Sequence, residues 1–188
     1  MIARRSFLLL PLLLSAPPAR AADAWAPLME EGAIVLFRHA NAPGTGDPPG
    51  FVLGDCATQR NLDERGREEA RAIGEAFRRR GVEVGSVLSS QWCRALETAE
   101  LAFPGQVREE AAFNSFFGRR HAATEATARA RELLLRWKGP GTLVVVTHQV
   151  NITALTELVP RPGEGIVLRP HDNALSLLGR IPSPPVQN

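Results

Sequence analysis

Lysine is almost missing from this chain. Of its 22 basic residues only Lys138 is not an arginine, a bias that gene composition explains without appeal to function. Cysteine is nearly as scarce: Cys56 and Cys93 are the two in 188 residues. They form no Cys-x-x-Cys pair, so their spacing gives no zinc site. No internal repeat and no low-complexity stretch interrupts the body of the chain, which sets repeat architectures aside. Beyond the first residues no apolar run reaches the length of a membrane span. An excess of one charge is missing too. The first 21 residues hold Arg4, Arg5 and Arg20; without them 19 basic side chains face 20 acidic ones, a net of −1. A near-neutral body gives no electrostatic footprint for nucleic acid or for an anionic membrane surface. What is left is an ordinary globular composition, 44% hydrophobic and 22% charged, with about one domain's length.

The N-terminal segment reads as an export signal, not as part of the fold. Arg4 and Arg5 make a positive start, Phe7 to Leu14 is a short apolar core, and Ala19-Arg20-Ala21 is a small-x-small cleavage pattern. The paired arginines before Ser6-Phe7-Leu8 also resemble a twin-arginine signal. Residues 1–21 are therefore expected to be a signal peptide, 22–181 one domain and 182–188, with its run of prolines, a disordered tail. The cleaved product is expected to be periplasmic or secreted and not inserted in a membrane. In an oxidising compartment two cysteines suggest a Cys56–Cys93 disulfide, against the alternative of two reduced thiols.

Three short strand-like stretches each end on polar residues. Ala33-Ile34-Val35-Leu36-Phe37 runs into Arg38-His39; Val84 to Leu88 ends on Ser89-Ser90; Leu143-Val144-Val145-Val146 ends on Thr147-His148. Continuous apolar runs of this length read as buried strands. Helices are predicted between them. Ala70, Ile73, Gly74 and Phe77 share one face, with Asn61 as a candidate N-cap and Arg78-Arg79-Arg80-Gly81 as the stop. Further helices are expected over Trp92–Phe103, Ala122–Lys138 and Val150–Leu158, and weaker strands near Gly165–Leu168 and Ala174–Leu178. Residues 107–121 show no clear period and read as irregular. Alternating strands and helices imply a three-layer α/β/α fold with a mostly parallel sheet. Ligands of such sheets bind beyond the carboxyl ends of the strands, where Arg38-His39, Ser89-Ser90 and Thr147-His148 would meet. Arg94, in the first turn of the helix after the second strand, joins them. Two arginines, two histidines and a helix N-terminus form a pocket for a dianion, and arginine matches phosphate oxygens bidentately.

These residues lie in blocks that resemble the histidine phosphatase superfamily, which includes the cofactor-dependent phosphoglycerate mutases. Arg38-His39-Ala40 resembles its Arg-His-Gly signature. Ser89-Ser90-Gln91-Trp92-Cys93-Arg94-Ala95-Leu96-Glu97-Thr98-Ala99 resembles its Ser-Ser-x-x-x-Arg-Ala-x-x-Thr-Ala block. Asn61 to Gly66 resembles its Leu-Thr-x-x-Gly helix start, and Val146-Thr147-His148 its second histidine block. The resemblance implies a phosphoglycerate mutase-like fold, His39 as a nucleophile that becomes phosphohistidine, and Arg38, Arg94 and His148 as ligands of the phosphoryl group. Asn41, Ser89 and Gln149, beside these residues, are expected to contact substrate. The chain departs from the family in carrying Ala40 for glycine. It also lacks a carboxylate where relatives keep a general acid, both at Ala112–Phe117 and after His148; Glu109 and Glu110 are the nearby candidates.

The expected activity is hydrolysis of phosphate monoesters or anhydrides, with a small phosphorylated substrate and neither metal nor cofactor. The alternative is a catalytically weak periplasmic protein of the same fold that binds a phosphorylated ligand.

Overall fold

The computed structural model describes residues 24–186. The expected signal peptide and the last two residues of the expected tail lie outside them. Residues 182–186 carry no helix or strand. Among the described residues, no helix is long and apolar enough to cross a membrane.

Six strands form one sheet: β1 (Ile34–Arg38), β2 (Val84–Ser89), β3 (Val107–Glu109), β4 (Thr142–Thr147), β5 (Gly165–His171) and β6 (Ala174–Ile181). Their spatial order is β3-β2-β4-β1-β5-β6. The first three pairings are parallel and the last two antiparallel. The antiparallel edge follows from a two-residue turn. Asp172 and Asn173, both at positive φ, fit the tight hairpin that sends β6 back along β5. Both weaker strands thus run past their expected ends, to His171 and Ile181. In the segment expected to be irregular, β3 adds three residues at the sheet edge, too short for any period to show.

The central strands are buried on both faces because their apolar runs do not alternate with polar residues. Val35 and Phe37 of β1 join Ile73 and Phe77 of α1 (Glu64–Arg80) and Ala95 and Ala99 of α2 (Cys93–Ala102). Ile34 and Leu36 point to the other face, with Ala130 and Leu134 of α3 (Ala123–Leu135) and Ile152 and Leu155 of α4 (Gln149–Thr156). This is the three-layer α/β/α arrangement.

Helix α1 starts two residues later than an Asn61 cap implies. The Asp63 carboxylate accepts from the Gly66 N–H at 2.7 Å and caps the helix; Asn61 donates instead to the Cys56 carbonyl. Two glycines on α1 allow backbone contact. A Cβ on Gly66 would fall 2.1 Å from the Asn41 carbonyl oxygen, and one on Gly74 2.0 Å from that of Ala102 in α2. Gly66 therefore lets α1 press against the chain just beyond His39, which positions the site.

Candidate active site

The sheet order places β2, β4 and β1 side by side, so their carboxyl ends are neighbours. Backbone hydrogen bonds continue the ladder past the strands. The His39 N–H donates to Thr147 O and the Ser90 N–H to Val146 O, both at 2.9 Å. The Ala40 N–H donates to Thr98 Oγ1, which donates to Arg94 O; this ties the His39 turn to α2. The Ala40 methyl is fully buried against Ala42, Leu62 and Ala70, so alanine is accommodated at that position.

Arg38, His39, Arg94 and His148 line one cavity of about 490 Å³. The His39 and His148 rings are 5.5 Å apart. His39 Nδ1 lies 2.8 Å from the Ala40 carbonyl. A carbonyl oxygen can only accept, so the proton sits on Nδ1 and Nε2 is unprotonated. The Arg94 Nε–H donates to that Nε2 at 3.3 Å. Burial, together with the cations Arg94, Arg60 and Arg38, pushes the imidazole down to about 3 despite the bond to Ala40. His39 is thus a neutral base near pH 7.

His148 Nε2 lies 2.8 Å from Ser90 Oγ, which also meets Asn114 Oδ1 and the Trp92 N–H. Burial first, and then the charges around it, hold His148 far below its ordinary value. Its Nδ1 and Arg38 Nε are buried without a hydrogen-bond partner among the described residues. Buried polar atoms ordinarily find partners, and an anion seated in the cavity would supply them. Arg38 is fixed by its bond to the Pro160 carbonyl, and its pKa is lowered by burial and by Arg94.

The wall opposite the strands is the 41–60 segment. Arg60 lines the cavity and donates to the carbonyls of Gly46 and Ala42; burial and Arg94 bring its pKa to about 10. Asp47 pairs with Arg94. Phe51 stacks on Trp92 at 5.0 Å between ring centroids, and Gln59 accepts from the Cys93 N–H. Cys56 and Cys93 are joined by a disulfide, which clamps this wall to the start of α2. Replacing both cysteines by serine is expected to lower unfolding stability by about 2–4 kcal/mol, the usual worth of closing a loop of this size. Urea titration of the oxidised protein and the double variant measures it; equal midpoints would contradict it.

Several candidates fall elsewhere. Asn41 does not line the cavity: its N–H donates to Glu69 and its amide to Asp63. It holds α1, because the chain has already turned away from the strand end. Ser89 is fully buried and donates to the Ser90 carbonyl. Side chains alternate along a strand, so the hydroxyl at the site belongs to the next residue, Ser90. Glu109 accepts from the Gln91 side chain at the surface and Glu110 caps a short 3-10 turn; neither lines the cavity. Gln149 does line it. Arg119 is a further lining cation, near the Trp92 face. Of the phenylalanines, Phe113 is core, whereas Phe116 and Phe117 border an apolar groove of about 460 Å³. That groove shares Phe117, Gly118, Gln149 and Val150 with the cavity.

Residues 34–142 match the family model of the histidine phosphatase superfamily (branch 1). No curated protein matches the chain by sequence. Solved structures share its fold. A mycobacterial glucosyl-3-phosphoglycerate phosphatase superposes with a TM-score of 0.55 at 20% identity, over 77% of this chain and 96% of that one. The protein histidine phosphatase SixA, complexed with tungstate, gives 0.52 at 15% identity, over 80% and 97%. A second mycobacterial structure, described as hydrolase 2, gives 0.59 at 18% identity, over 82% and 92%.

Proposed function

The chain belongs to the histidine phosphatase superfamily, branch 1, and on that footing we propose that it hydrolyses phosphate monoesters or anhydrides through a phosphohistidine at His39. The observation that carries the reading is the state of His39. Its imidazole is neutral, with Nδ1–H held by the Ala40 carbonyl and an unprotonated Nε2 beside Arg94, inside a cavity lined by Arg38, Arg60 and Arg94.

In the first half-reaction Nε2 attacks phosphorus and the alcohol or phosphate leaves. In the second, water attacks the phosphoramidate and releases inorganic phosphate. Phosphoryl transfer asks for alignment and for positive charge around the equatorial oxygens. Arg38 and Arg94 supply that charge from fixed positions, and His148, placed by Ser90, supplies a further contact. The experiment is rapid acid quench with a phosphorus-labelled donor. Acid-labile label should appear on the protein within one turnover and then discharge. Tight phosphate binding with no covalent label would instead support the binding-protein reading.

The apolar groove supports a substrate whose leaving group carries an apolar chain. Across a series of n-alkyl phosphates, kcat/KM is expected to rise about fourfold for each methylene that becomes fully buried, until the groove is full. A flat series would contradict this. The disulfide supports an oxidising compartment, periplasmic or extracellular, as the place where the protein works.

A further inference from the structure

Among the described residues that line the cavity, Asp47 alone carries a carboxyl group. It lies on Gly46-Asp47-Pro48, within the Pro- and Gly-rich segment that follows His39. Its carboxylate meets the guanidinium of Arg94 fork to fork: Oδ1 is 2.6 Å from Nη1 and Oδ2 is 3.3 Å from Nη2. The Arg60 N–H reaches Oδ1 at 3.2 Å and the Trp92 indole N–H reaches Oδ2 at 3.0 Å. Burial works to raise this carboxyl, but the bonds from Arg94 and Trp92 outweigh it and hold it below the usual range. Asp47 is thus an anion seated on the arginine that faces the nucleophile.

That seat conflicts with a phosphoryl group. Arg94 points Nε at His39 Nε2, 3.3 Å away, while its Nη atoms hold Asp47. A phosphorus approaching Nε2 brings its equatorial oxygens to the same guanidinium. Two anions competing for one fork repel each other, and the one that leaves the cation gains proton affinity. The carboxyl also stays close to the reacting atoms, because its segment is anchored on α2 by the disulfide and by Phe51 on Trp92.

We infer that Asp47 is the proton donor to the leaving group, parked on Arg94 until the substrate phosphoryl displaces it. The inference rests on the phosphatase reading above. As the fork opens, the carboxylate takes up one proton from solvent. When the Nε2–P bond forms and the bridging P–O bond breaks, Asp47 gives that proton to the departing oxygen and becomes a carboxylate. In the second half-reaction it accepts a proton from the attacking water as the N–P bond breaks. Phosphate is released, His39 returns to its neutral form, and Asp47 gives its proton back to solvent as it returns to Arg94.

The test uses Asp47→Asn and Asp47→Glu in the full chain, with folding checked by thermal melts. Two substrates separate the role. Glycerol 2-phosphate leaves as an alkoxide and needs a proton; p-nitrophenyl phosphate leaves as a stabilised phenolate and does not. For Asp47→Asn, kcat on glycerol 2-phosphate should fall at least about a hundredfold, the ordinary worth of a general acid. On p-nitrophenyl phosphate it should fall far less, and Asp47→Glu should recover part of the lost activity on the first substrate. Equal losses on both substrates, or none on either, would overturn the inference. Calorimetric titration with inorganic phosphate is the second readout. Removing the competing anion should tighten phosphate binding by Asp47→Asn at least tenfold, and unchanged or weaker binding would contradict displacement. If the wild-type protein forms no phosphohistidine with any donor, the phosphatase reading itself fails, and the phosphate titration still judges the displacement.

Discussion

Replacing His39 by alanine is expected to lower turnover of p-nitrophenyl phosphate by at least about 10⁴-fold, in line with loss of a covalent nucleophile. The substitution leaves Arg38, Arg94 and His148 in place, so phosphate still binds and KM changes little. It removes the imidazole whose unprotonated Nε2 meets Arg94 in the cation-lined cavity. The same geometry fixes the pH dependence. With the folded pKa near 3, the nucleophile stays unprotonated as pH falls from 7 to about 4. Protonation of His39 therefore adds no loss of kcat/KM near pH 6.5, the ordinary histidine value. Steady-state rates of the wild type and the variant across this range check both points; equal rates in the two proteins would remove His39 from the mechanism.

Arg94→Ala is expected to cost about 10²–10³ in kcat, the worth of one preorganised donor to a developing oxyanion. Arg94 is 2% exposed, so its charge acts where water screens it weakly. Three of its contacts meet at the site: Nε toward His39, and Nη1 and Nη2 toward Asp47. Lysine supplies charge but no fork, so Arg94→Lys should recover only a minor part of the rate. The lysine variant also leaves Asp47 a cationic partner, so a loss of rate with an intact thermal melt separates catalysis from folding. Full activity in Arg94→Lys would show that charge alone, without bidentate geometry, does the work.

The parts of this site that were legible in the sequence are those written into the strands. An apolar run with no alternation announces a strand covered on both faces, and the polar residues that end it mark where the ligand side begins. Arg38, His39 and His148 were readable for that reason, and Arg94 from its place in the first turn after the second strand. Ser89 was one residue out of register, a slip that a period of two turns into the opposite face. Which side chains of the far wall face the cavity was not legible. Asp47 and Arg60 belong to a Pro- and Gly-rich segment with no period. Contacts distant in sequence set its course: the disulfide to Cys93, Phe51 on Trp92, and Gln59 on the Cys93 N–H. Seeking the acid near Glu109 and Glu110 followed the family's habit, whereas here the carboxylate inside the cavity comes from the opposite side. The edge strand β3 went unseen because three residues with one apolar side chain carry no pattern.

The central claim is that a phosphoryl group passes through Nε2 of His39. The most direct measurement is phosphorus NMR of the protein trapped after reaction with a phosphodonor and denatured at alkaline pH, with peptide mapping to locate the label. The account predicts a single phosphoramidate on the Nε2 position of His39, absent from His39→Ala. A phosphoryl group on Nδ1 or on another residue, or turnover with no phosphohistidine at any time, would contradict it.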